Sequence, residues 1–366
     1  MTTPSTARIL APVDMAGLPL RNRLAVAPMT RVSASEDGLA TDRMADYYER
    51  FARGGFGLVI SEGLYTDARH AQGYLDQPGL SDDRQARAWR AVNARIHANG
   101  GRVFAQLMHA GALSQGNRFA SHNLAPSAVR PKGSQMAFYH GHGQYPMPRA
   151  MSEEAIAEVI AGFGHAAERA VEVAGFDGLE IHGANGYLLD QFLTDYTNQR
   201  DDRWGGCLDR RLTLMLEVIR AVRAAVGSAP VGIRISQGKV NDFEHKWAGG
   251  ERDAERIFGT LADAGVDFIH VTEHDALHPA FAAHGPSLLA LARRYAPHTR
   301  LIANGALGSP DAARQALEDG ADIVALGKSA LANPDLPQRC TQGLALAEFD
   351  GAVLAPIADI KPGERV

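Results

Sequence analysis

Three polar side chains in segment 178–193 have types and spacing that could act together on a substrate. A short apolar run, 178–182, reads as a strand ending at His182, and Asn185 and Tyr187 follow in a glycine-containing turn that lets the backbone bend tightly. His182 and Asn185 can donate hydrogen bonds to one oxygen that gains negative charge, and Tyr187 is a weak acid that can supply a proton. The structural alternative is a strand-capping histidine, a left-handed asparagine and a core tyrosine.

The complete string around these residues resembles the signature of the old yellow enzyme family of flavin-dependent ene-reductases. The family pattern H-x-A-N-G-Y-L-x-x-Q-F-L matches from His182, and the pattern N-x-R-x-D-x-[YF]-G-G follows from Asn198. The chain departs from the family at Trp204, where tyrosine is usual, and at Cys207, where serine is common. Both departures lie outside the expected chemistry.

The resemblance implies non-covalently bound FMN that is reduced by NADPH or NADH in a ping-pong cycle. The substrate would be a small activated alkene, such as an α,β-unsaturated carbonyl compound, an imide or a nitroalkene. His182 and Asn185 would bind its activating oxygen, the flavin N5 would deliver hydride to the β-carbon, and Tyr187 would protonate the α-carbon. Two alternatives stay open: a dehydrogenase or demethylase of the same family, and a barrel aldolase or isomerase acting on a phosphorylated substrate.

An arginine inside an apolar strand run, Arg234, is the most unusual single residue. A buried guanidinium needs a strongly accepting partner, so a structural pairing with Glu180 or Glu62 is one interpretation. The resemblance instead implies that Arg234 faces the pyrimidine edge of the flavin. The same resemblance implies a set of cofactor-binding residues at the strand ends, namely Pro28, Met29, Thr30, Gly63, Gln106, Arg234, Asn304, Gly305, Gly327 and Lys328.

Within that set, Gln106 would bind the pyrimidine edge, Thr30 the flavin carbonyl near N5, and Gly63 would let the ring approach. The ends of the last two predicted strands favour a phosphate site, because barrels often bind phosphate there through backbone N–H groups. Gly305 and Gly327 permit close approach and Lys328 can neutralise the charge. The family usually has arginine at the Lys328 position, and an exposed lysine without a ligand is the alternative.

Eight apolar runs alternate with amphipathic stretches at intervals typical of βα units. No G-x-G-x-x-G follows any of them, which disfavours a doubly wound dinucleotide fold and leaves a single (β/α)8 TIM barrel over residues 1–366 as the prediction. The predicted strands are 23–28, 57–62, 102–107, 178–182, 231–236, 268–273, 301–305 and 323–328. The predicted helices are 41–53, 82–98, 153–174, 208–226, 251–264, 286–296 and 310–319, with a last helix opening at 333–337.

Three segments lie outside this repeat. Residues 9–22 are rich in turn formers and predict a hairpin that closes the bottom of the barrel. The long connection 108–152 follows the third strand, so it should lie over the active face as a capping insert. The tail 349–366 is expected to cover a neighbouring subunit or to lie free.

The composition sets limits on partners and location. A net charge of −5 with dispersed basic residues gives no reason to expect nucleic acid or a membrane surface, and the N-terminus lacks the pattern of a signal peptide. The two cysteines, Cys207 and Cys340, suggest neither a disulfide framework nor a zinc site, and His140 and His142 lack a third metal ligand. A cytoplasmic protein without metal is expected, with a homodimer as the default assembly.

Overall fold

The computed structural model describes residues 4–365. Eight parallel strands close into a barrel in which each strand pairs with its neighbour in chain order and the last pairs with the first. The (β/α)8 prediction is therefore confirmed. The barrel strands are β1 (Leu24–Val26), β2 (Leu58–Tyr65), β3 (Arg102–Met108), β4 (Gly178–His182), β5 (Val231–Ile235), β6 (Phe268–Thr272), β7 (Arg300–Asn304) and β8 (Ile323–Leu326).

The helices follow the predicted stretches closely. Ser152 and Ser309 cap the helices they precede, because each side chain accepts a hydrogen bond from the backbone N–H three residues on. The helices of the outer layer are α1 (Asp42–Arg53), α2 (Asp83–Ala98), α3 (Glu153–Glu168), α4 (Thr213–Val226), α5 (Glu251–Asp263), α6 (Leu288–Tyr295), α7 (Pro310–Glu318), α8 (Lys328–Ala332) and α9 (Leu336–Gln342).

Several boundaries differ from the predictions. The stretch 153–174 ends in a π-helical turn, Arg169–Ala174, and 208–226 divides into Leu208–Arg211 and α4. A helix at Pro4–Leu10 was not predicted, nor was α8, which begins inside the predicted last strand.

The barrel interior has an apolar lower layer and a polar upper layer. Phe104 and Phe268 stack with ring centroids 5.5 Å apart in the lower layer. Met15 and Leu20, from the hairpin of Val13–Met15 with Leu18–Leu20, pack into the same cluster, so the hairpin does close the bottom. Since side chains alternate along a strand, the inward residues two positions further along β3 and β6 are Gln106 and His270, and these build the polar layer beneath the mouth.

The C-terminal tail packs against its own barrel. Arg31, just beyond β1, donates to both carboxylate oxygens of Glu364 at 2.6 and 2.5 Å and to the carbonyl oxygen of Ala358 at 3.0 Å. The Ala358 N–H in turn donates to the carbonyl oxygen of Phe138 in the capping insert, at 2.9 Å. The expectation that the tail lies free is thus wrong, because a buried arginine holds it in place, whereas coverage of a neighbouring subunit stays a prediction.

Candidate active site

A cavity of about 370 Å³ opens at the carboxyl ends of the barrel strands. The capping insert contributes Met136, Phe138 and Tyr139 to its wall, and the tail contributes Phe349 and Leu354. Most of the predicted site residues line this cavity, namely Pro28, Met29, Thr30, Gln106, His182, Asn185, Tyr187, Arg234, Gly327 and Lys328.

His182 and Tyr187 stand side by side on this wall. Their ring centroids are 4.8 Å apart with the planes at 64°, and the residues are only 4% and 6% exposed. Burial, together with the positive charge of Arg234 and the proximity of His270, holds the pKa of His182 well below its usual value. The imidazole is therefore neutral at physiological pH, with one N–H to donate and no net charge.

The Tyr187 hydroxyl has a partner that no sequence pattern indicates. It lies 2.5 Å from the hydroxyl of Tyr74, which is fully buried in the segment after β2. Burial raises the pKa of Tyr187, while the Tyr74 hydrogen bond and the charge of Arg234 act to lower it. Tyr187 is thus protonated at neutral pH, and two neighbours are placed to stabilise its phenolate once a proton leaves.

Asn185 combines the two interpretations offered for it. Its backbone is left-handed, with φ of 61°, and its main chain bonds the Ser236 hydroxyl and the Val240 N–H. The residue also lines the cavity beside His182. A turn requirement and a role in binding are therefore compatible at this position.

A buried ion pair holds this turn in place. Asp190 accepts the Gly186 N–H at 2.6 Å and the Lys239 ammonium at 2.9 Å on each carboxylate oxygen. Both side chains are almost completely buried, at 0% and 2% exposure. This pair was not predicted from the sequence, although an aspartate four residues after a glycine, inside the matched signature, was an available signal.

Arg234 makes no ion pair with Glu180 or Glu62 among residues 4–365, so the structural pairing proposed for it is wrong. Its Nη2 donates to Thr272 Oγ1 at 3.1 Å and to Asn304 Oδ1 at 2.8 Å. Its Nε is buried and bonds to no other described group. A guanidinium that lines a cavity without a carboxylate partner is suited to an accepting or anionic ligand.

The polar layer beneath the mouth is a hydrogen-bonded chain. Gln106 Nε2 donates to Glu180 Oε1 at 2.8 Å, and His270 Nδ1 bonds Glu180 Oε2 at 2.6 Å. Glu180 and His270 are fully buried, and Gln106 reaches the cavity. This layer fixes the floor of the site from below.

Three of the expected cofactor residues are not on the cavity wall. A Cβ at Gly63 would lie 2.4 Å from Met108 Sδ, so the methionine occupies the space in front of it. At Gly305, φ is +134° and a Cβ would lie 2.2 Å from the Glu273 carbonyl oxygen, so main-chain packing accounts for the glycine. Asn304 accepts from Arg234 and donates to the Ala325 carbonyl oxygen at 2.8 Å, which places it behind the arginine. Direct contacts of these three with a cofactor stay predictions.

The charge of the wall suits an anionic cofactor. The lining includes Arg234 and Lys328 but no carboxylate, while the charge of a third basic lining residue, Arg31, is already paired with Glu364. Gly327 and Lys328 begin helix α8, whose first backbone N–H groups receive no side-chain cap. The residues present therefore fit FMN, which carries a phosphate and gains negative charge on reduction.

An eight-stranded parallel barrel with such a mouth defines a cofactor-dependent oxidoreductase of the (β/α)8 class. The model of the NADH:flavin oxidoreductase / NADH oxidase family matches residues 8–347. The chain is similar to the chanoclavine-I aldehyde reductase of Penicillium roqueforti, with 34% identity over 357 residues covering 94% of this chain and 92% of the relative. It is also similar to a probable flavin mononucleotide-dependent alkene reductase of Leishmania infantum, with 34% identity over 94% of this chain and 93% of the relative.

Among solved structures, the old yellow enzyme homologue from Zymomonas mobilis superposes with a TM-score of 0.85 at 29% identity, covering 98% of each chain. This chain belongs to the NADH:flavin oxidoreductase / NADH oxidase family, and the resemblance to old yellow enzymes is confirmed. It is an FMN-dependent NAD(P)H oxidoreductase rather than a barrel aldolase or isomerase. No helix between residues 4 and 365 is long and apolar enough to cross a membrane.

Proposed function

We propose that this enzyme reduces C=C bonds activated by a carbonyl, imide or nitro group, with His182 and Asn185 binding the activating oxygen and Tyr187 donating the proton. The observation that carries the proposal is the pairing of a neutral His182 with a buried, protonated Tyr187 on one wall of the cavity. A donor and an acid on the same wall can serve the two ends of one short conjugated system.

The roles of His182 and Asn185 follow from their chemistry. A neutral imidazole and a carboxamide can each donate a hydrogen bond to the carbonyl, imide or nitro oxygen of a neutral substrate. Neither adds a full positive charge to the site. Their hydrogen bonds strengthen as negative charge gathers on the activating oxygen, so they stabilise the transition state more than the ground state. This withdrawal of electron density makes the far carbon of the alkene more electrophilic.

Tyr187 supplies a proton to the carbon next to the activating group. Its raised pKa keeps the proton in place until a basic carbon develops. After transfer, the Tyr74 hydroxyl can donate to the phenolate, and Arg234 lowers its energy through space. The acid is therefore stable before the transfer and supported after it.

FMN, when bound, supplies the two-electron redox chemistry of the cycle. We assign Gln106 and Arg234 to the ring, Thr30 to the neighbouring carbonyl, and Gly327 with Lys328 to the phosphate. All five line the same cavity, and Arg234 has no carboxylate partner among the described residues. Residues 1–366 would form one domain, with 108–152 as its cap, and the protein would act in the cytoplasm. A homodimer is expected, and light scattering measures the oligomeric state.

Anaerobic titration of the purified protein with NADH and with NADPH, followed by cyclohexenone, maleimide or a nitroalkene, tests the function. Reduction and then reoxidation of the flavin by an alkene are expected, and Tyr187→Phe should retain reduction but lose most reoxidation. Tyr145→Phe is the matched control, because Tyr145 belongs to the same buried cluster but does not line the cavity. A wild-type flavin that no alkene reoxidises would refute the proposal.

A further inference from the structure

The amide of Gln106 is a two-ended group at the floor of the cavity. Its nitrogen end donates to Glu180 at 2.8 Å, and the residue as a whole lines the cavity. The amide is planar, so fixing the nitrogen end toward Glu180 turns the oxygen end, Oε1, away from Glu180. Which end faces a ligand decides whether Gln106 accepts or donates a hydrogen bond there.

Glu180 can only accept in this arrangement. Burial by itself would raise the pKa of Glu180, but the facing His270, the charge of Arg234 and the Gln106 hydrogen bond together lower it. An ionised carboxylate has no hydrogen to donate, so the partner on each oxygen must be a donor. The donor on Oε2 is His270 Nδ1, at 2.6 Å, and the donor on Oε1 is therefore the Gln106 amide nitrogen.

The barrel makes this arrangement rigid. Gln106 and Glu180 occupy paired positions on β3 and β4, and His270 lies on β6, across the interior. Glu180 and His270 have no exposed surface, so water cannot compete for either contact. An amide flip would bring two oxygens together in a dry environment, which is unfavourable.

We propose that Glu180, supported by His270, is a positioning residue that fixes the Gln106 amide with its carbonyl oxygen toward the cavity. The floor then presents an acceptor, and it selects a ring edge that carries an N–H donor, as the pyrimidine edge of FMN does. The inference rests on the proposed assignment of Gln106 to the flavin ring. Glu180 itself touches neither cofactor nor substrate.

The first test is FMN binding to the apoprotein, followed by quenching of flavin fluorescence. Glu180→Gln can donate as well as accept, so the Gln106 amide loses its fixed orientation, and the Kd for FMN should rise about tenfold, as expected for one well-placed hydrogen bond. Asp177→Asn is the matched control, because it makes the same carboxylate-to-amide change just before the other end of β4. Its Kd for FMN should stay within about threefold of wild type, since it lies outside the cavity lining.

The second test exchanges the two side chains. In Gln106→Glu/Glu180→Gln, the amide at 180 can donate to the carboxylate at 106 and accept from His270, so the carboxylate presents an acceptor to the cavity. FMN affinity should recover to within about threefold of wild type, which a merely structural loss in the single variant would not allow.

The positioning role of Glu180 and the proposed substrate class can fail independently of each other. If the exchanged variant binds FMN no better than Glu180→Gln, or if Glu180→Gln binds as wild type does, the inference fails. If wild-type protein binds FMN and responds to Glu180→Gln but reduces no alkene, the inference stands and the proposed substrate class fails.

Discussion

The hydroxyl oxygens of Tyr74 and Tyr187 lie 2.5 Å apart in a buried cluster, although 113 positions separate the two residues in the chain. Tyr74 also packs against Tyr139 of the capping insert, with ring centroids 4.6 Å apart. The proposed acid is therefore held between the segment after β2 and the insert after β3. We therefore expect the contact with Tyr74 to affect proton donation by Tyr187.

Tyr74→Phe should slow the step that oxidises the flavin by about tenfold, because the phenolate of Tyr187 loses a hydrogen-bond donor of roughly 1 kcal/mol or more. The pKa of Tyr187, already raised by burial, should rise further, since the Tyr74 contact is one of the two interactions that lower it. Stopped-flow absorbance separates this step from flavin reduction by the nicotinamide, which should be unchanged. Equal losses in both steps would point to a general disturbance of the site instead.

A buried carboxyl makes stability depend on pH near neutrality. Burial raises the pKa of Glu62 to about 7 from its usual 4.5. Because the folded-state value is the higher one, the folded protein binds the extra proton, and wild-type stability should fall as pH rises from 5.5 through 7, by an amount on the order of 2 kcal/mol.

Glu62→Gln should remove this dependence and gain relative to wild type as pH rises. Urea unfolding at pH 5.5 and pH 8 measures the difference. Glu158→Gln, which alters an exposed pair with Arg69, serves as the control. The difference in unfolding free energy between this variant and wild type should be the same at both pH values. A constant difference between Glu62→Gln and wild type at both pH values would count against a raised pKa.

Glu364, which holds the C-terminal tail through Arg31, should make stability depend on pH in the opposite direction, in the acid range. Burial alone would raise the pKa of Glu364, but hydrogen bonds from Arg31 and from the Lys361 backbone lower it below 4.5. The stabilisation is therefore complete above pH 4.5 and is lost as pH falls through the depressed pKa.

At neutral pH, Glu364→Ala should cost about 3 kcal/mol of unfolding free energy, because Arg31 is left buried without its anion. The cost should shrink as pH falls from 4.5 toward 3, because the unfolded wild-type chain takes up a proton at Glu364 that the lowered pKa of the folded state resists. Chemical unfolding across this range checks both parts. A cost that is the same at pH 3 and pH 7 would contradict the charge-based account.

The Lys239–Asp190 pair should couple stability to substrate binding. Lys239→Met leaves the Asp190 carboxylate buried and unpaired, so the free energy of unfolding should fall by about 3 kcal/mol. The KM for the alkene should rise as well, because the Asn185–Gly186 turn that Asp190 holds becomes less rigid. In Lys239→Met/Asp190→Leu, part of the stability should return, because no charge is buried. The KM should stay raised, because Asp190→Leu also removes the acceptor of the Gly186 N–H. A KM restored to the wild-type value would show that the pair does not position the turn.

The sequence predicted the barrel and most of its mouth because both depend on local patterns. Apolar runs such as 231–235 identify strands, and polar residues at their ends, such as Arg234 and His182, face one opening once the strands are parallel. Contacts between distant segments have no such pattern. Tyr74 stands in an irregular segment, and Arg31 meets Glu364 across 333 positions, so neither partner could be found by spacing.

Part of the wall of the mouth comes from segments outside the repeating βα units of the barrel. Met136 and Phe138 come from the insert, Phe243 from the loop after β5 and Leu354 from the tail, and Phe243 is 73% exposed. Substitutions at these positions can change which substrates enter the cavity while the barrel and the expected cofactor-binding residues stay the same. They are accordingly the sensible targets for a focused library aimed at new selectivity.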